Sequence, residues 1–264
     1  MDNRDQAFNQ YMPWYIAKNN KQIVALSFLV WALLLGGFSL LGRELFSPPQ
    51  MNNLEFCVLV SSIFILLLAH LTVDLAVVDY FHSQLTGVDQ TLISALGSAF
   101  RRLPALVKWS IYGLTVGLRL KRESPPRVFV LQIMVAEQIG PFPAMQRSTQ
   151  LVSDRWGDDR QLANKLSNVP ISSSFAVTYI AAILLGFFVA ATGFEYSGFV
   201  MVGVVALLVI PLPAAAAIQS TWSHYLTSVL YVYTTKNTVA DGFSGTWLQQ
   251  AFEPRLVRVN DMKP

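Results

Sequence analysis

His70 and Asp74 lie four residues apart in an otherwise apolar stretch. On a helix that spacing puts both side chains on one face. A carboxylate beside an imidazole can relay a proton or hold a cation. An ionisable residue inside a long apolar segment is expensive to bury and is a functional candidate on that ground. The spacing favours a simpler reading of Asp74, one to two turns from the cytoplasmic end of its helix. Asp79 and His82 follow and mark the interface, and there the carboxylate would snorkel or pair with an arginine. His70 also has the character of an axial ligand for haem or a chlorin, which a helix-borne histidine in an apolar wall can hold. His224, on a later helix, would complete such a pair, although it falls near or beyond the interface. A hydrogen-bonded interhelical histidine is the preferred reading.

Glu137 is the third ionisable candidate. It follows an apolar half-span and precedes Gly140-Pro141. It could meet the Arg101-Arg102 pair or close a re-entrant loop, and the favoured reading is an acidic group marking the return to water. Arg101, Arg102, Lys108, Arg119, Lys121, Arg122 and Arg127 sit beside apolar runs. Near a surface of anionic headgroups each is worth ~1 kcal/mol. The same charges serve as a positive-inside signal, and their apolar surroundings argue against nucleic acid. No G-x-S-x-G, H-E-x-x-H, P-loop or Cys/His metal spacing occurs, which points away from an enzyme and from a metal site. Cys57 is the one cysteine, so no internal disulfide forms. No cofactor is assigned.

These residues sit in an oily chain. Of its 264 residues 53% are hydrophobic and 13% charged, about half the charge of an average soluble domain. Four stretches are long enough to span ~30 Å of hydrocarbon as helices, which takes about 20 apolar residues. The first is Ile23 to Gly42, read as a retained signal anchor. The second runs from near Leu54 past His70 to about Val78. The third is Phe175 to Phe194. The fourth is Phe199 to Ile218, with Pro211 and Pro213 expected to kink it. The helical pattern then continues from Ser220 to Lys236, with aromatics at three- and four-residue spacing. Beyond Gly242, Ser244 caps a last short helix bearing Trp247, Leu248 and Phe252.

The long segment 82–173 lies between the second and third spans. Leu85 to Thr91 reads as a turn and a helix cap. Leu103–Leu118 and Val128–Ala136 are each short for a crossing. They are read as a hairpin that dips into the cytoplasmic leaflet or lies in its interface. The rival topology has six spans, with Leu103–Leu118 and Val128–Ile139 as a crossing hairpin. Ala144 to Trp156 reads as an amphipathic helix.

Lysine and arginine set the orientation. Of the 19, Arg43 alone falls between the first two spans. The rest lie in the N-terminal arm, the middle segment and the C-terminal tail, all of which this assigns to the cytoplasm. The expected architecture is thus all-α and integral to the membrane: about four transmembrane helices, a re-entrant or interfacial helix pair, and amphipathic cytoplasmic helices. The divisions are a cytoplasmic arm (1–22), a first helix pair (23–81), the middle segment (82–173), a second helix pair with a kinked, extended last helix (174–236), and a cytoplasmic tail (237–264).

Val135-Ala136-Glu137-Gln138-Ile139-Gly140-Pro141-Phe142, followed by Ala144, Arg147-Ser148 and Trp156-Gly157, resembles the V-x-E-x-L-G-P-x-E-A-L-x-R-S and T-W-G motifs of a large family of uncharacterised bacterial and archaeal multi-pass membrane proteins. Tyr231-Val232-Tyr233-Thr234-Thr235, Gly242-Phe243 and Ala251-Phe252-x-Pro254-Arg255 are similar to that family's ending. The resemblance covers roughly residues 54–255. It implies a fold and a topology but carries no catalytic residues. Asp74 stands where that family tends to place Asn. The family's usual extra span before the Glu motif is cut here to Val128–Ala136.

The leading expectation is a non-catalytic accessory or scaffold subunit of a membrane assembly, in a bacterial cytoplasmic membrane or its invaginations. Gly36-Gly37 and Ala214 to Ala217 allow close helix approach. Trp14, Tyr15, Trp222, Tyr231, Tyr233, Trp247 and Phe252 are candidate contacts to another subunit or a second copy, and the bilayer itself, with its anionic lipids, is the other partner. The alternative is a small-solute or ion transporter or channel using Asp74 and the Pro211–Pro213 broken helix. An enzyme acting on lipid is third.

Overall fold

In the computed structural model, residues 15–46, 53–116, 128–156, 211–240, 243 and 248 are described. All regular structure among them is helical: α1 (Lys21–Phe46), α2 (Asn53–Leu85), α3 (Leu92–Arg101), α4 (Leu103–Val116), α5 (Val130–Ala136), α6 (Pro141–Trp156) and α7 (Pro211–Lys236). The expected third span, the first part of the fourth, and the basic run 119–127 lie outside the described residues.

α1 and α2 run antiparallel. Trp31 of α1 meets His70 of α2 with ring centroids 4.7 Å apart, and Gly37 faces Leu66. A Cβ on Gly37 would lie 2.9 Å from the Leu66 Cδ1, so the missing side chain is what admits this approach. A Cβ on Gly36 would meet nothing within 4 Å. α7 lies parallel to α2, with His224 level with Asp74 and Tyr231 level with His82. Ala216 and Ala217 of α7 join Val30, Trp31 and Leu34 of α1 and Val73, Val77 and Phe81 of α2 in one apolar cluster. The small residues that the sequence offered to a partner subunit therefore also serve packing within the chain.

Val60–Leu85 is long and apolar enough to cross a membrane by length and composition, the one such helix among the described residues. At 33 residues, α2 measures about 50 Å. It runs on to Leu85, so Asp74 lies three turns, about 16 Å, from its C-terminal end. α4, with 14 residues, and α5, with 7, measure roughly 21 and 10 Å. As described, each is shorter than a ~30 Å hydrocarbon layer. α7 is continuous from Pro211 to Lys236. Pro211 and Pro213 open its described part, and the residues before them lie outside the described residues.

A second cluster gathers Leu75, Ala76 and Val78 of α2 with Ala95 and Ala99 of α3, Leu106 of α4, Ile133 and Met134 of α5, Ala144 and Val152 of α6, and Leu230 of α7. Arg102, at the α3–α4 corner, donates to the Met134 carbonyl and ties that corner to α5. The buried Phe129 N–H donates to Ser148 Oγ at 3.2 Å, so α6 caps the start of α5.

The expected turn after α2 is present. Gly87 has φ +74°, and the Val88 N–H reaches the Ser83 carbonyl at 2.9 Å. This is the six-to-one closure that a left-handed residue permits. Ser83 also donates to Gln90 Oε1, and Gln90 donates to Asp79 Oδ2 at 3.1 Å. Thr91 caps α3 by accepting from the Ser94 N–H at 3.2 Å. An alanine at Gly87 meets open space but must hold the left-handed conformation. Gly87→Ala is expected to lower stability by about 1–2 kcal/mol, measurable as a lower thermal midpoint with unchanged helix content.

Candidate functional site

Asp74 is the centre of a buried carboxylate–imidazole group. Its Oδ2 lies 3.5 Å from His70 Nε2, one turn back on α2. Its Oδ1 lies 3.1 Å from His224 Nε2, across on α7. The side-chain exposures are 14% for Asp74, 11% for His70 and 7% for His224, so solvent reaches the group poorly. Each ring presents Nε2 to the carboxylate, His224 at hydrogen-bond distance and His70 at the longer approach. The Trp31 ring meets His70 edge-on and closes the α1 side. His70 and Asp74 come together as their spacing predicted. The arginine expected for Asp74 is replaced by His224.

His224 was legible only as a distant second imidazole. Its role needs α7 to lie parallel to α2 in this register, and no local motif encodes that. Among the described residues no group of three or more His, Cys, Asp or Glu side chains is arranged to hold a metal ion. The group instead has the parts of a proton relay: an acid with a basic nitrogen on either side.

Glu137 belongs to a second group. It follows α5, at a turn where Gln138 takes a left-handed φ of 54° and Pro141 starts α6. Arg147 Nε lies 3.4 Å from Glu137 Oε1, and the Tyr231 hydroxyl donates to the same oxygen at 3.4 Å. The Arg102 side chain goes to the Met134 carbonyl. The Glu137–Arg147 spacing in the motif thus closes the α5–α6 turn with an ion pair. His82 of α2 meets the Tyr231 ring at 5.9 Å.

The remaining candidates are spread over the fold. Arg101 and Lys108 are exposed, whereas Trp222 is half-buried. Tyr15 is exposed, while Tyr231 and Tyr233 are buried. Arg119, Lys121, Arg122, Arg127, Trp14, Trp247 and Phe252 lie outside the described residues.

Residues 126–243 match the model of a family of unknown function, DUF6159. The matched stretch contains the whole Glu137–Arg147–Tyr231 group and His224, and it stops short of His70 and Asp74. No curated protein matches the chain, and no solved structure does.

Burial, then the neighbouring Glu137 carboxylate that accepts its proton, push the Tyr231 hydroxyl up to about 12. A phenol held protonated by the fold stabilises it fully below the ordinary tyrosine range. That contribution is lost as pH rises from about 10 towards about 12. A tyrosinate absorbance titration of the folded protein is expected to contain one tyrosine at about 12. Tyr231→Phe should remove that step and flatten the alkaline loss of stability.

Proposed function

We propose that the chain is a multi-pass protein of a bacterial cytoplasmic membrane that moves a small solute or ion, with the His70–Asp74–His224 group as its proton-carrying site. The observation that carries the reading is a carboxylate held by two imidazoles from two helices, three turns inside an apolar helix long enough to cross a membrane. A merely structural clamp needs one donor. Two imidazoles offer alternative proton positions, and ionisable groups at such depth commonly serve ion and proton paths.

The orientation rests on charge. Lys18 and Lys21 precede or open α1, and Lys236 ends α7. In the antiparallel arrangement these positions share one end, which is the cytoplasmic side by the positive-inside rule. Exposed Leu29, Leu33, Leu54, Val58 and Ile65 on α1 and α2 suit contact with lipid.

The reading is tested in proteoliposomes holding a pH-sensitive dye. Asp74→Asn keeps the shape of the side chain but replaces one of the two acceptor oxygens by an NH2 donor and cannot carry the proton. It is expected to cut proton-coupled flux by roughly a hundredfold, as loss of a positioned acid–base group does. Wild-type flux in this variant, with its thermal midpoint preserved, would overturn the assignment.

An accessory-subunit role is the second reading. One observation favours it: an apolar groove of about 650 Å³ between α1 and α2, lined by Ala32, Leu33, Gly36, Leu54, Val58 and Ile63. Under that reading native mass spectrometry from mild detergent finds a stoichiometric partner or a second copy. A lone monomer counts against it.

A further inference from the structure

We infer that the buried face of α7 between His224 and Tyr231 is a hydrated polar seam joining the Asp74 group to the Glu137–Arg147 group, so that the two form the ends of one proton path. The inference rests on the proton-carrying reading above and shares His224 with it.

Ser220, Ser223, His224, Thr227, Ser228 and Tyr231 are all buried, at 8% exposure or less. Their spacing of three and four residues puts them on one side of α7. In a helix packed among apolar neighbours such a stripe is costly unless its hydroxyls find partners. Part of the cost is met within the helix. Thr227 Oγ1 donates to the Ser223 carbonyl at 2.8 Å and accepts from Gln132 Nε2 of α5 at 2.6 Å.

The rest is unmet among the described residues. Ser223 Oγ, Ser228 Oγ and Gln132 Oε1 are buried with no hydrogen-bond partner among the described residues, as is His82 Nδ1, on the ring that faces Tyr231. Ser223 and Ser228 are 0% exposed and Gln132 is 2% exposed. Buried polar groups without protein partners are the usual anchors of internal water, which needs two to four such contacts.

The lengths fit. His224 and Tyr231 are seven residues apart, about 10 Å along the helix. Steps of about 2.8 Å between hydroxyls and waters cover that with Thr227 near the middle. At the far end the Tyr231 hydroxyl passes to Glu137, whose carboxylate is a third exposed. The path therefore opens at the α5–α6 turn, next to Arg147. A proton leaving His224 would hop along hydroxyls and water to Tyr231 and Glu137, each donor regaining a proton from the one behind. No bond other than O–H and N–H is made or broken.

The test is deuterium exchange at the ring nitrogens of His224, read by Raman spectroscopy on the full-length protein in nanodiscs, with His224→Gln to assign the signal. Along a hydrated seam exchange is fast in the wild type. Thr227→Val, which keeps the shape and removes the hydroxyl, should slow it by about tenfold, and Thr227→Ser should restore it. Gln132→Leu should act in the same direction, which guards against a folding defect confined to one variant. Equal rates in wild type, Thr227→Val and Gln132→Leu would overturn the seam. That result leaves the role of Asp74 to the flux assay, and absence of flux leaves the seam to this one.

Discussion

A carboxylate removed from water without donors costs several kcal/mol even after relaxation. Asp74 avoids that cost by holding α2 against α7 through His224 and by keeping His70 aligned one turn away. The arrangement dictates register. A slide of α7 by one turn would carry His224 past the carboxylate and bring Ser220 or Ser228 to it. A single hydroxyl there would satisfy the carboxylate less well than an imidazole backed by a second imidazole. Apolar packing brings the helices together, but it discriminates weakly between neighbouring registers when the contact residues are Ala, Val and Leu. The polar group supplies the discrimination.

The surrounding packing follows from that register. Ala216 and Ala217 let α1 approach α7, and Gly37 lets α1 approach α2. The Trp31 ring can then cover His70. Phe81, fully buried, contacts the Tyr225 ring at 5.2 Å one layer further along. Below it the turn at Gly87 folds α3 back so that Ala95 and Ala99 close the core. Small residues sit where helices must come close, and large rings seal the ends of the polar group.

Much of this was legible in local pattern. The apolar run from Leu54 and the four-residue spacing of His70 and Asp74 mark a long helix with a polar face. Leu85 to Thr91 spells its turn and the next cap. Two things were not legible. Asp79 and His82 were read only as markers of the interface, and their partners, Gln90 across the turn and Tyr231 on another helix, come from the fold. His224 was set aside because it falls near or beyond the expected interface, and its partner Asp74 lies 150 positions away. Only tertiary register joins them, and a single sequence carries no periodicity that records it. The Glu137 motif shows the opposite case. Glu137 and Arg147 are ten apart, close enough for one turn and one helix to bring them together.

The two polar groups differ in what water can do to them. The Glu137 group is partly exposed, so its ion pair is screened and contributes little to stability. Its geometry is held instead by Tyr231, which is buried, and by Gln138, whose left-handed backbone fixes how the turn presents the carboxylate. The Asp74 group is shielded, so its hydrogen bonds are stronger and any unpaired state is more costly. A proton added to the buried group must be balanced nearby, and the aqueous group is where exchange with solvent is cheap. Tyr231 stands between the two groups: it shares α7 with His224 and reaches Glu137 at the α5–α6 turn, so one helix carries a residue of each group.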